Sequence, residues 1–236
     1  ADQADPAMNK IWCGWFRDQG YAVLETSAKD GKGVNQFSLT VKNVLKEKIS
    51  QWKDRGLVGR PIRIMIVGVP NVGKSTFINR IAKRKSAKAG DRPGVTRGKQ
   101  WVSVDAGLDL LDTPGILWPR FEDQSIGMNL AFTGAVKDEI MDMETLACHF
   151  MELLSARYPQ ALAERYGITP EPEEPGWQLL ERTAKKRGFL ISGGELDTER
   201  MSKILLDEYR SGKLGNFTLE RPEDLDAFAP GGNDGG

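Results

Sequence analysis

The feature that most constrains this 236-residue chain is Gly68-Val-Pro-Asn-Val-Gly-Lys-Ser75, set directly after the apolar run Ile62–Val67. It fits the pattern G-x-x-x-x-G-K-[ST], in which glycines let several backbone N–H groups turn inward around a phosphate. The helix expected after it adds the positive end of its dipole. A strand must feed such a loop and a helix must leave it, which commits this part of the chain to an α/β architecture. Lys74 is then the mobile cation for the β- and γ-phosphates, and the Ser75 hydroxyl is a Mg²⁺ ligand. Pro70, Asn71, Val72, Gly73 and Thr76 complete the candidate nucleotide-binding set at this loop.

A phosphate loop needs a second element that senses the γ-phosphate. Asp112-Thr-Pro-Gly115 follows the apolar stretch Leu108–Leu111. Asp112 suits a Mg²⁺ role through water, and the Gly115 N–H suits the γ-phosphate. Between the two elements lies Arg92-Pro-Gly-Val-Thr-Arg-Gly98, where the Thr96 hydroxyl is placed to complete the metal shell.

Hydrophobic periodicity fills in the surroundings. Met8, Ile11, Trp12, Trp15 and Phe16 recur at helical spacing after Pro6, with Gly20 as the stop. Ala22–Thr26 reads as a short buried strand. Val34 to Trp52 reads as one long helix finished by Gly56. Ile62–Val67, apolar on both faces, reads as a central strand. A helix is expected from about Lys74 to Lys83, and 101–105 with 108–112 as a β-hairpin. Beyond Trp118-Pro119 only helices are expected, over 143–157, 175–188 and 198–210. The fold class is therefore α/β followed by an all-helical part. Residues 1–135 form the first domain, 140–225 the second, and the Gly-rich 226–236 a disordered tail.

Composition excludes several classes. Hydrophobic residues make up 39% and charged residues 28%, which describes a globular chain, and no run of 18 apolar residues exists to span a bilayer. Cys13 and Cys148 lie in no metal-like spacing and read as reduced, buried thiols. A single histidine, His149, leaves no material for a His-rich metal site. Net charge is zero, yet residues 42–99 hold 16 basic and 3 acidic residues while 100–236 hold 13 and 25. So segregated a field favours a phosphate-rich partner such as RNA near the loop.

Beyond these elements the chain resembles the translation-factor-like GTPases. Thr26-Ser-Ala-Lys29 is similar to their guanine-contacting S-A-K loop, which carries Ser27, Ala28 and Lys29 over as guanine contacts. Here it precedes the phosphate loop, the inverted order of the circularly permuted GTPases. In that family N-K-x-D comes shortly before S-A-K. Asn9-Lys10 is followed by Ile11-Trp12, which breaks the pattern, whereas Ala1-Asp2 lies at the expected distance and resembles its last two positions. The resemblance implies that Asp2 accepts hydrogen bonds from guanine N1 and N2. It also places two strands before Asp2, so the domain is expected to lack its first strands. Such a sheet would be gapped or re-paired, with weak guanine-nucleotide binding and reduced stability.

Gly68–Thr76, Asp112–Pro119 and Phe121–Gln124 are similar to the branch of that family acting in late assembly of the bacterial large ribosomal subunit, over residues 1 to about 225. The resemblance implies GTP and Mg²⁺ as cofactors, and the large subunit and its RNA as partners. It further implies a cytoplasmic location, with neither membrane nor DNA involved. Residues 140–225 would help bind ribosomal RNA, using a local basic face such as Lys185-Lys-Arg187. Ile116 stands where many GTPases have a water-orienting glutamine, which implies slow intrinsic hydrolysis activated by the subunit. Asn71 matches an asparagine that relatives use to ligand K⁺. The candidate catalytic set is thus Lys74, Asn71, Thr96 and Gly115. The family's catalytic histidine falls upstream of Ala1, and His149 is not its replacement. Other readings stay open: an RNA-binding module gated by nucleotide without significant hydrolysis, a relative working on the small subunit or in an organelle, or an ATPase.

Overall fold

The computed structural model describes residues 2–86, 100–105, 107–113, 115 and 124–226, without the side chains of 83–86, 100, 112, 225 and 226. Thr96, Ile116 and residues 227–236 of the expected 226–236 tail lie outside the described residues, whereas Asp226 ends a helix. The chain divides into two compact units, Ala1–Leu117 with Thr218–Gly236, and Trp118–Phe217.

In the first unit, helix α1 (Pro6–Asp18) starts where its caps dictate. Asp5 Oδ1 accepts from the Ala7 N–H at 2.7 Å and Pro6 occupies the first turn. A 3-10 turn (Val34–Gln36) leads into α2 (Phe37–Val44) and α3 (Lys46–Asp54), which divide at Leu45 instead of forming one helix. The strands are β1 (Ile62–Met65), β2 (Gln100–Asp105) and β3 (Leu108–Asp112), with α4 (Lys74–Ser86) between β1 and β2. β3 pairs parallel with β1 and antiparallel with β2, giving the order β1-β3-β2.

Two strand expectations need correction. Residues 22–26 belong to no ladder among the described residues, because a strand exists only beside a partner. β1 lies at the edge of the described sheet, and β3 is central. The apolar run of β1 alternates in burial: Ile62 is buried, while Met65 and Val67 are more than half exposed. One sheet face packs on α4 and supplies the core, in which Leu108, Leu110, Val104 and Ile62 meet Ile78, Ile81 and Val34.

The second unit is helical: α5 (Gln124–Phe132), α6 (Met143–Arg157), α7 (Pro159–Tyr166), α8 (Gly176–Arg187) and α9 (Thr198–Arg210). α6 is the hub, burying Leu146, Ala147, Phe150, Met151 and Leu154. Phe150 packs between Phe132 at 4.9 Å and Tyr209 at 4.7 Å, tilted to both rings. Polar ties are internal too. Arg210 donates to the carbonyls of Phe132 and Ala131 and pairs with Asp138 at 2.7 Å. The buried Glu208 carboxylate receives Arg165, Arg187 and the Tyr166 hydroxyl. Burial of the Tyr166 ring, and its hydrogen bond to Glu208, push the Tyr166 hydroxyl pKa far above its ordinary range.

The chain then returns to the first unit. Trp12 Nε1 donates to the Glu220 carbonyl at 3.1 Å, and the Asp5 N–H donates to Thr218 Oγ1 at 3.2 Å. α10 (Pro222–Asp226) lies there. The compact units therefore divide the chain differently from the 1–135 and 140–225 expected: α5 groups with the helical unit and 218–226 with the α/β unit. The cysteines are unpaired and partly exposed instead of buried. Partial burial is still the main cause that raises both thiol pKa values. No described helix is long and apolar enough to cross a membrane.

Candidate functional site

β1 delivers the chain into the phosphate loop, and the loop geometry follows from its residue types. Asn71 at φ 60° and Gly73 at φ 92° take left-handed conformations, open to glycine and tolerated by asparagine. These turns curl the backbone back before α4 begins. The Lys74 ammonium folds over the loop, donating to the carbonyls of Gly68 at 3.0 Å and Val69 at 2.7 Å. Ser75 and Thr76 are exposed on the first turn of α4, which carries no acidic residue to neutralise its positive end. Val72 is exposed on the same loop, and Pro70 is partly buried.

The second element is fastened directly to this loop. β3 runs parallel to β1, so Asp112-Thr113 emerges beside the start of the loop. Thr113 is buried, and its hydroxyl donates to the Ile66 carbonyl at 2.5 Å. Gly115 closes against the loop: a Cβ there would lie 2.6 Å from Pro70 Cα and 2.7 Å from Pro70 N. Only a residue without a side chain permits that approach. Sequence reasoning missed Thr113, because nothing in its neighbourhood signals a bond to a residue 47 positions away. The side chain of Asp112, and Thr96 altogether, lie outside the described residues.

The S-A-K loop is held by its own hydrogen bonds. Ser27 is buried, its N–H donates to the Lys32 carbonyl at 3.0 Å, and its carbonyl accepts from Gly31 N at 2.8 Å. The Ser27 hydroxyl bonds the Asp30 carboxylate at 3.2 Å. Gly33 sits so close to the Glu25 carbonyl that any Cβ would collide with it. Ala28 is partly buried and Lys29 exposed on the turn.

Both loops hang from α4. Val34, just past the S-A-K loop, shares the core with Ile78 and Ile81, and Phe37 meets Phe77 edge-on at 5.3 Å. The Gly31 backbone lies against the Arg80 guanidinium. The helix that starts at the phosphate loop therefore also fixes the place of Ser27–Lys29. Asp2 lies exposed in the turn ahead of α1, outside this core.

Among the described residues elsewhere, no competing centre forms. Among the described residues no three His, Cys, Asp or Glu side chains gather as a metal group. His149 is half exposed, with Nδ1 3.3 Å from Glu152 Oε2. In the expected basic face, Lys186 donates to the Gly167 carbonyl at 2.6 Å, and Arg187 lies over the Tyr166 ring near Glu208.

Known proteins resemble this chain in sequence and in fold. Residues 63–166 match a family model described as 50S ribosome-binding GTPase. Ribosome biogenesis GTPase A of Bacillus pumilus is 45% identical over 223 residues, which cover 94% of this chain and 79% of that protein. The chain belongs to the ribosome biogenesis GTPase A family. Its member from Thermotoga maritima is 32% identical, over 95% of this chain and 74% of that one. A GDP-bound YlqF structure superposes with a TM-score of 0.62 at 31% identity, covering 94% of this chain and 81% of the other. GNP-bound YlqF from T. maritima gives 0.58 at the same identity, over 94% and 78%. Family membership makes the α/β part a GTPase domain, as its motifs foretold.

Proposed function

We propose that this chain binds GTP with Mg²⁺ and hydrolyses it in the cytoplasm as an assembly factor of the large ribosomal subunit. One observation carries the reading: the Asp112–Gly115 element is fastened to the phosphate loop by the Thr113–Ile66 bond and the Gly115–Pro70 contact. A γ-phosphate added at that seam meets both elements at once. Its gain or loss then alters a contact that chain topology already holds tight. The names of the relatives supply the ribosome as the place where such a switch acts.

Each residue has a task. The Lys74 ammonium, already turned over the loop, exchanges two carbonyl partners for phosphate oxygens. The N–H groups of Val72, Gly73, Ser75 and Thr76 face the same anion from a curled backbone and a helix start without acidic residues. Gly115 presents its N–H at the γ-phosphate, and Pro70 sets its approach. Ser27, Ala28 and Lys29 read the guanine from a turn anchored to α4, with Asp2 as the base-specific acceptor. Ser75, Thr96 and Asp112 would hold Mg²⁺, and the exposed Ser75 hydroxyl at the head of α4 fits that ion. Mg²⁺ would neutralise charge between the β- and γ-phosphates. The Asn71 side chain stands at the left-handed turn of the loop, a position suited to a K⁺ ion. Ile116 cannot hydrogen-bond water, so intrinsic turnover is slow and the subunit accelerates it.

The test is GTP hydrolysis in K⁺ and in Na⁺, each with and without large subunits. Faster turnover with subunits, and more in K⁺, is expected. Equal rates under all four conditions would overturn the proposal.

A further inference from the structure

Cations in the two units are used differently. In the helical unit Arg165, Arg182, Arg187, Lys203 and Arg210 all make ion pairs. Around α2 and α3 of the other unit, among the described residues, only Lys42 does so, to Asp105 at 3.0 Å. Among the described residues Lys46 and Lys53 form no ion pair, although both are exposed. Lys42, Lys46 and Lys53 recur at four and seven residues, which places them along one stripe of the two helices. The stripe borders a groove of about 510 Å³, lined also by Ile49, Trp52 and Arg60. No carboxylate lines it, and Glu47 and Asp54 fall outside the stripe. Arg60 is held at the rim, its guanidinium 5.1 Å from the centre of the Trp52 ring.

We propose that this groove is an RNA-backbone contact surface, with Lys46, Lys53 and Arg60 meeting separate phosphates. Lys46 and Lys53 stand about 10 Å apart along α3. At that spacing, near one Debye length, they act as separate charges on separate phosphates. The apolar floor and clamped Trp52 let the groove take the ribose side of a strand, as RNA surfaces do. The partner is a phosphate polymer because four basic residues line the groove and one carboxylate offsets only Lys42. The Lys185–Arg187 run serves less well, since two of its three cations are spent within their own unit. The ribosomal origin of the RNA rests on the proposed function, whereas the backbone contact does not.

The experiment uses the full chain and an RNA hairpin of about 16 base pairs, with affinity read by fluorescence anisotropy across a salt series. The variants are Lys46→Gln/Lys53→Gln and the charge-retaining Lys46→Arg/Lys53→Arg, with thermal melts and GTP binding as controls. Each lost phosphate contact flattens the slope of log K against log salt by roughly 0.7–0.9. The glutamine pair should flatten it by about 1.6 and lose roughly 40-fold in affinity at 0.1 M salt, while the arginine pair keeps the slope. An unchanged slope in the glutamine pair overturns the proposal. So does weakened binding to intact large subunits with hairpin affinity unchanged, which assigns the groove to an acidic protein. Failure of subunits to stimulate hydrolysis, with the hairpin result intact, overturns only the proposed function.

Discussion

Replacing Gly115 by alanine tests the seam between the two phosphate elements. Alanine keeps the N–H assigned to the γ-phosphate, and Gly115 does not occupy the left-handed region, so neither a lost donor nor backbone strain confuses the result. What changes is distance. The new Cβ would meet Pro70 Cα at 2.6 Å, Pro70 N at 2.7 Å and Pro70 Cγ at 2.9 Å. Two of these are backbone atoms, so one loop must retreat by about 0.8 Å before ordinary contact near 3.4 Å is reached. A displacement of that order typically costs about 100-fold in rate, or about 2.7 kcal/mol in barrier. Gly115 is exposed, so the melting temperature should barely move. The assay is single-turnover GTP hydrolysis with excess large subunits, alongside GDP binding. GDP affinity should be kept while hydrolysis falls. Hydrolysis at the parent rate would refute the claim that Gly115 and Pro70 work at this separation.

Gly14 lies inside α1 with open space where a Cβ would go, so Gly14→Ala should stabilise the α/β unit by about 0.5–1 kcal/mol in urea melts. Phe150→Ala removes a fully buried ring between Phe132 and Tyr209, and should cost about 3–5 kcal/mol, read as an earlier unfolding transition. The hydrogen bond from Arg165 is the main cause that holds the Glu208 carboxyl below its usual value, against an opposing effect of burial. A depressed folded pKa contributes stability above the unfolded value near 4.3, and that share is lost as pH falls through the folded pKa. Glu208→Gln should therefore cost on the order of 2 kcal/mol at pH 7, because Arg165 and Arg187 are each about a third exposed. The gap between the two proteins should narrow below about pH 4.

What the sequence made legible is what local periodicity encodes. α4, the β2–β3 hairpin, α6, α8 and α9 stand where apolar spacing and turn residues place them. α7 escaped notice because Pro159 reads as a break, whereas at a first helical position it starts a helix. The rank of β1 in the sheet depends on which strands lie beside it, and the five apolar residues of 62–67 do not contain that information. Its exposed Met65 and Val67 are the trace of the difference. The same limit applies within the site. Lys74 and Gly115 follow from pattern, but Thr113 and Arg80 act across 47 and 49 residues of chain, to Ile66 and Gly31.

α4 brings together two motifs, far apart in sequence, that are proposed to serve one ligand. Its first turn closes the phosphate loop, and its buried side holds Ile78 and Ile81 against β3. Phe77 and Arg80 receive the segment that carries the S-A-K turn. The order of the motifs along the chain then matters little. A turn at 27–33 before the loop reaches α4 as readily as one that follows it, provided that Val34 and Phe37 find the same helix. Permuted connectivity changes loop-closure entropy only slowly with length, whereas losing either contact with α4 removes buried apolar area outright. The 27–33 turn, proposed to read guanine, is therefore secured by Val34 and Phe37 beyond it. In a chain of this order, Val34 and Phe37 are where damage to the core would first appear as lost nucleotide selectivity.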